Sequence, residues 1–247
     1  MKTEIIHGYH PVFEALQAAR RIFIKVYAAG DKPSKRLDKI IALAEYKKIP
    51  VKKIQALRLK KITGLDQHQG VAAEVSPYPL VDFSDLVDRL GSDKKDKFLV
   101  LLDNILDPQN FGAIVRTVLA VGADGVVIPK DRSVPPTPAV SKVSAGALEH
   151  VFVSRVTNLI TTIKALKKRG VWIYGMDKAA EASIFSRDLS GSLAIVIGGE
   201  EKGIRPLVKK HCDFLISIPQ VGRINSLNAS AAAAVSMYEV FRQRTVT

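Results

Sequence analysis

Short apolar runs recur through the second part of the chain: FLVLL at 98–102, GVVIP at 125–129, VWIYGM at 171–176, LAIVIGG at 193–199 and FLISIP at 214–219. Each is too short for a core helix, is rich in β-branched residues and ends in turn-forming or polar residues. Helical stretches separate them. That alternation predicts a mostly parallel sheet covered on both faces, an α/β fold. The first part reads as smaller mixed α/β: a helix from Pro11 to Ala19, a strand FIKVYAA, a helix LDKIIALAEYKK and a strand near GVAAEV. Between the two, SPYPLVDFSDLVDRLGSDKKDK breaks the apolar periodicity with two prolines, five aspartates and a Gly-Ser pair. It reads as a linker. The expected organisation is a domain over 1–76, a linker over 77–97 and a larger domain over 98–247.

Ligands of parallel sheets gather at the carboxyl ends of strands. Three of the apolar runs end there in unusual polarity. FLVLL runs into DNILDPQNFGAIVRT, where Asn110 follows Pro108 and Arg116 is the only charge in an apolar helix. Asn110 is open to a plain reading as a helix N-cap. Arg116 is harder to set aside, because a guanidinium among apolar neighbours must reach an anion or water. LAIVIGG runs into EEKGIRPL, which matches neither GxGxxG nor a Walker A loop. There Glu200 is open to a plain reading as a carboxylate beside a helix N-terminus. FLISIP is followed by QVGRINSLNASAAAA, whose Ser226, Asn228 and Ser230 could cap a terminal helix. Its four alanines are good helix formers and also allow close approach.

Charge then narrows the partner. The chain carries a formal net charge of +13 with pI near 9.8, a field most often matched to a polyanion. Residues 1–76 hold fifteen Lys/Arg against seven Asp/Glu, and residues 98–247 hold eighteen against twelve. Charge is therefore densest in the smaller domain. YKKIPVKKIQALRLKK has seven basic residues and no acid; it is either a solvated lysine face or a track for a phosphate backbone. The single cysteine, Cys212, has no partner within the chain, and no Cys/His group has zinc-ligand spacing. Neither a disulfide nor a metal is expected. No run approaches the length of a spanning helix and the start lacks a signal-peptide core, so the chain reads as soluble and cytoplasmic.

Taken in order, D107-P108-Q109-N110-F111-G112 with Arg116, then G198-G199-E200-E201-K202-G203, then S226-L227-N228-A229-S230 after I216-S217-I218-P219 resemble the three signature motifs of the SpoU (TrmH) class of RNA 2'-O-ribose methyltransferases, within the SPOUT superfamily. IHGYHPVFEAL and HQGVAAEV resemble the L30e-like RNA-binding domain of the same group. PKDRSVPPTPAVSKVSAGALEHV and ISIPQVGRINSLN are most similar to the RlmB branch, which methylates a guanosine of large-subunit (23S) ribosomal RNA. Ala229, where valine is common, is a mild departure. The resemblance implies S-adenosyl-L-methionine as cofactor, a C-terminal trefoil knot that forms its pocket, and a homodimer with the active site at the subunit interface. It implies catalytic roles for Arg116, Asn110, Glu200 and Asn228, and cofactor contacts from Gly198, Ile218 and Leu227. Methylation of transfer RNA, and a catalytically silent RNA-binding protein, are the competing readings.

Overall fold

The computed structural model describes residues 2–30, 34–89, 91, 96–222 and 226–245; positions 90 and 92–95 of the expected linker lie outside them. The chain divides into two compact units, and the division does not follow chain order. One unit joins Met1–Pro79 to Pro136–His150, and the other joins Leu80–Pro135 to Val151–Thr247.

In the first unit, strands β1 (Glu4–His7), β2 (Phe23–Ala29), β3 (Val51–Ile54) and β4 (Val71–Val75) form a sheet of order β1-β4-β2-β3. Only the β2/β3 pair is parallel. Helices α1 (Tyr9–Ala18) and α2 (Lys35–Tyr46) cover one face, burying Val12, Leu16 and Ile40 against Ile6, Val26 and Ala73. On the other face α3 (Ala56–Thr63) buries Leu59 against Ile54 and Ala72. The period-two alternation of apolar residues in these strands produces both layers.

Pro136–His150 completes this unit. Its helix α6 (Pro138–Val143) and the turn at Ala147–Glu149 pack on β1 and α1. The anchor is Glu149, almost fully buried, whose carboxylate accepts from Arg21 Nε at 2.7 Å, Arg21 Nη2 at 3.1 Å and Ser141 Oγ at 2.8 Å. Arg21 also donates to Glu4 at 2.9 Å and to the Ser76 carbonyl at 3.1 Å. A buried guanidinium is tolerable only with partners of this kind. Gly146, at φ +85°, has no room for a side chain, because a Cβ would lie 2.7 Å from Glu14 and 2.8 Å from the His10 carbonyl.

The second unit is built on six parallel strands in the order β10-β8-β9-β5-β6-β7: β5 (Phe98–Asp103), β6 (Gly125–Pro129), β7 (Val153–Val156), β8 (Trp172–Met176), β9 (Leu193–Gly198) and β10 (Phe214–Ile216). Helices α5 (Pro108–Ala120), α7 (Leu159–Lys167), α8 (Pro206–Lys209) and α9 (Ala229–Thr245) follow strands as the alternation predicts. Helix α4 (Phe83–Arg89) comes from the stretch read as linker, and its Leu86 and Val87 enter the core beside Leu99, Val127 and Ile163. Among the described residues no helix is long and apolar enough to cross a membrane, and no group of three or more His, Cys, Asp or Glu is placed to hold a metal.

Candidate active site

Register brings the first two polar strand ends together. β5 and β9 are neighbours, and Asp103 pairs directly with Gly198. The Asp103 carbonyl accepts from Gly199 N at 2.9 Å, and its buried carboxylate accepts from Arg205 N at 2.8 Å and Arg205 Nε at 2.7 Å. One acid therefore fixes both ends of the loop 199–205. The loop closes on itself through Gly203 N to Gly199 O at 2.8 Å. Glycine is required on sterics: a Cβ on Gly198 would lie 2.1 Å from the Gly203 carbonyl carbon, and one on Gly199 would lie 2.3 Å from the Asn104 carbonyl oxygen.

The third strand end joins them through side chains. Asp107, not Asn110, caps α5, accepting from Gln109 N at 3.0 Å. That leaves the Asn110 amide free to donate to Glu200 Oε1 at 2.8 Å, while its oxygen accepts from Asn228 Nδ2 at 2.9 Å. Asn228 Nδ2 also donates to Glu200 Oε1. At its other end Asn228 Oδ1 accepts from Ser230 N at 2.9 Å, Ser230 Oγ at 2.6 Å and Ala231 N at 3.3 Å, so it caps the start of α9 as well. The plain reading as a helix cap and the reading as a site residue are both met by one carboxamide. Glu200 does not rest at a helix N-terminus, since α8 begins only at Pro206. Its Oε1 takes both amides, and among the described residues Oε2 makes no hydrogen bond.

Two cavities meet at this triangle. One, of about 510 Å³, is lined by Asn104, Asp107, Asn110, Arg132 and Glu200. The other is lined by Gly198, Ile218 and Leu227, together with Asp177 and again Glu200. Gly199, Glu200, Glu201, Lys202 and Ala229 belong to both walls. Burial pushes the Asp177 carboxyl up, but hydrogen bonds from Lys209 and Ala179 N outweigh it and hold it below the usual carboxylate range. It lies 2.6 Å from Lys209 Nζ. Burial pushes the Cys212 thiol up to about 12, keeping it a neutral thiol rather than a nucleophile.

Arg116 stands apart from the triangle. It is exposed, it lines neither cavity, and among the described residues it makes no hydrogen bond or ion pair. It follows Asn110 by six positions, about 240° round the helix, and so faces elsewhere. The same helix exposes Leu119, and α9 exposes Val235, Tyr238 and Phe241.

Sequence reasoning saw Asp103 and Asn104 as part of the polar end of FLVLL, and Arg205 as a departure from a Walker A loop, but assigned no site role to them or to Arg132. Asp103 had a signal, an acid at the last position of an apolar strand, and Arg205 precedes a proline that starts a helix. Asn104, at φ +65°, and Arg132, at φ +56°, are left-handed residues whose conformation leaves no mark in the sequence.

Comparison with known proteins points one way. A model of the SpoU rRNA methylase family matches residues 97–238, and one of the RNA 2'-O ribose methyltransferase substrate-binding domain matches residues 5–81. A Bacillus subtilis relative named for the TrmH family of tRNA/rRNA methyltransferases, YacO, is 41% identical over 98% of this chain and 96% of its own. The 23S rRNA (guanosine-2'-O-)-methyltransferase RlmB of Pseudomonas putida is 38% identical over 99% of this chain and 98% of its own. Among solved structures, the SpoU methyltransferase AviRb of Streptomyces viridochromogenes has a TM-score of 0.83 at 24% identity, covering 99% of this chain and 90% of that one.

Proposed function

Because the chain belongs to the SpoU rRNA methylase family, we propose that it transfers a methyl group from S-adenosyl-L-methionine to the ribose 2'-hydroxyl of a guanosine in 23S ribosomal RNA, acting as a cytoplasmic homodimer. The observation that carries this is the Asn110–Glu200–Asn228 triangle, whose Glu200 stands in the wall shared by two cavities. A transferase of this kind needs two compartments that share one reactive wall.

The cavity at Gly198 fits the cofactor by its chemistry. Ile218 and Leu227 offer apolar surface to a purine, while the carboxylates of Asp177 and Glu200 suit a ligand bearing a sulfonium and an ammonium. Bound there, S-adenosylmethionine supplies a methyl group on cationic sulfur that a ribose oxygen takes by direct displacement, without a covalent protein intermediate. The knot implied by the resemblance belongs to this reading. The target ribose then occupies the Asn110 side. Two amides fix the Glu200 carboxylate through Oε1, leaving Oε2 to accept from a ribose hydroxyl.

Arg116 acts, in this reading, on the site of a second copy. It is unpaired and exposed on α5, and the exposed apolar residues Leu119, Val235 and Tyr238 lie on the helices that begin at the triangle, as a contact between copies requires. Arginine stays protonated, so its role is to stabilise developing charge on the ribose oxygen and to grip an adjacent phosphate. The choice of 23S guanosine is supported by the likeness to RlmB along the full chain and by the substrate-binding domain match.

The test is methyl transfer from labelled cofactor to total RNA and to transcribed 23S and transfer RNA, with the modified nucleotide mapped. Label on a 23S guanosine 2'-oxygen is expected, and Glu200→Gln and Asn228→Ala should each reduce it at least a hundredfold. Label confined to transfer RNA overturns the assigned target, and no transfer to any RNA overturns the reaction.

A further inference from the structure

A second opening adjoins the one assigned to the target ribose. It is a cavity of about 920 Å³ at the carboxyl ends of β6 and β7, and Arg132 lines both it and the 510 Å³ cavity. Its size is that of a site for a whole nucleotide. The lining combines apolar surface from Pro129, Pro206 and Leu207 with Arg132, Lys210 and the Arg205 guanidinium, which is already paired with Asp103. Among the described residues Asp131 is the only acid there. Leu207 is 58% exposed, so its apolar surface is open to a ligand in the cavity. Neither the Arg132 nor the Lys210 side chain makes a hydrogen bond or ion pair among the described residues. Arg132 is moreover held at φ +56°, a left-handed conformation that is strained for an arginine and that clusters at functional positions.

We propose that this cavity receives the nucleotide next to the methylated one along the RNA strand, with Arg132 gripping the phosphate that joins them. The proposal rests on the reading that the Asn110 cavity holds the target ribose. The two cavities share one lining residue, Arg132, whose guanidinium makes no hydrogen bond or ion pair among the described residues. A phosphodiester between two adjacent nucleosides is the group that must pass the point where two such cavities meet, and a planar fork of donors matches its oxygens. Pro129, Pro206 and Leu207 give the neighbouring base an apolar surface that tolerates any base. Lys210 is then placed for a further backbone phosphate. This surface fixes the register of the strand without reading its sequence.

The experiment uses the full chain and a mixed-sequence nine-nucleotide single-stranded RNA with one central guanosine, carrying 4-thiouridine on its 5' or its 3' side. After irradiation, one of the two RNAs should cross-link within residues 205–210 or at 129–132. Affinity is measured in parallel by fluorescence anisotropy across a salt series. Arg132→Ala and Lys210→Ala should each weaken binding about fivefold to tenfold and reduce the log–log salt slope by roughly 0.7. Leu207→Asp, which sets a like charge against the backbone, should weaken binding at least as much, with cofactor affinity and thermal stability as controls for folding. Cross-links confined to other segments, or unchanged slopes in both basic variants, overturn the proposal. Binding and cross-linking need no turnover, so absent methyl transfer with these cross-links present refutes the catalytic reading alone.

Discussion

Replacing Glu149 by alanine should destabilise the first unit far more than any surface change. The Arg21 side chain is fully buried and the Glu149 side chain is 1% exposed. Removing the acid leaves the guanidinium with Glu4, which is 22% exposed, and the Ser76 carbonyl. Breaking a buried pair from one side costs about 3–5 kcal/mol, and the surviving Glu4 contact places this case at about 3 kcal/mol. For a unit of about a hundred residues melting independently, about 3 kcal/mol lowers Tm by roughly 12–24 °C. Calorimetry of the full chain, with urea denaturation alongside, reads the effect. The double variant Arg21→Met with Glu149→Leu removes both charges, and its loss should be well below the sum of the single losses. A loss under about 1 kcal/mol for Glu149→Ala, or costs that simply add, would show that the pair does not hold Pro136–His150 in place.

Three further outcomes follow from the geometry. Arg116→Ala and Glu200→Ala homodimers should both be inactive, yet co-expression should restore roughly a quarter of wild-type methyl transfer, since half the dimers then carry one intact composite site; no restoration would put Arg116 in its own chain's site. Gly198→Ala should abolish cofactor binding in calorimetry, because its Cβ would sit 2.1 Å from Gly203 backbone, whereas Gly191→Ala, with nothing within 4 Å, should change nothing; equal behaviour of the two would refute the steric argument. Neutralising Lys52, Lys53 and Lys61 together should flatten the salt dependence of RNA affinity by roughly 0.7 per phosphate contact, read by filter binding; Lys60 is left out because it already pairs with Asp66 at 2.7 Å, and an unchanged slope would make the lysines a solvated face.

Five strands of the larger sheet were legible because their apolar runs need no knowledge of neighbours: FLVLL, GVVIP, VWIYGM, LAIVIGG and FLISIP coincide with β5, β6, β8, β9 and β10. Strand β7, VSRV, escaped notice as a short sheet-edge strand with two adjacent polar residues, Ser154 and Arg155, and β1 is only four residues long. Helix α4 was read as linker because the stretch around it carries two prolines, five aspartates and a Gly-Ser pair, while the helix itself buries only Leu86 and Val87. Asn110, Glu200 and Asn228 stood out as polar groups where apolar runs stop, but their meeting is a matter of register between strands and no local pattern encodes it. The destination of Pro136–His150 was hidden for the same reason. Val140 and Leu148 announce that they will be buried, and nothing near them says against what. Nor could Arg116 be read as facing away from the triangle until the helix phase was fixed by Asp107 rather than Asn110.

The placement of Glu149 has a consequence during synthesis. A ribosome adding about 5–20 residues per second needs roughly 4–14 s to travel from Pro79 to His150. Throughout that interval Arg21 and the partly exposed Glu4 have been made and Glu149 has not, so the nascent N-terminal unit lacks the buried carboxylate of its future core. It waits as an open, basic and incomplete body while the β5, α5 and β6 segments emerge behind it. Completion therefore interleaves the two units: the first closes only after Leu80–Pro135 of the second has been translated.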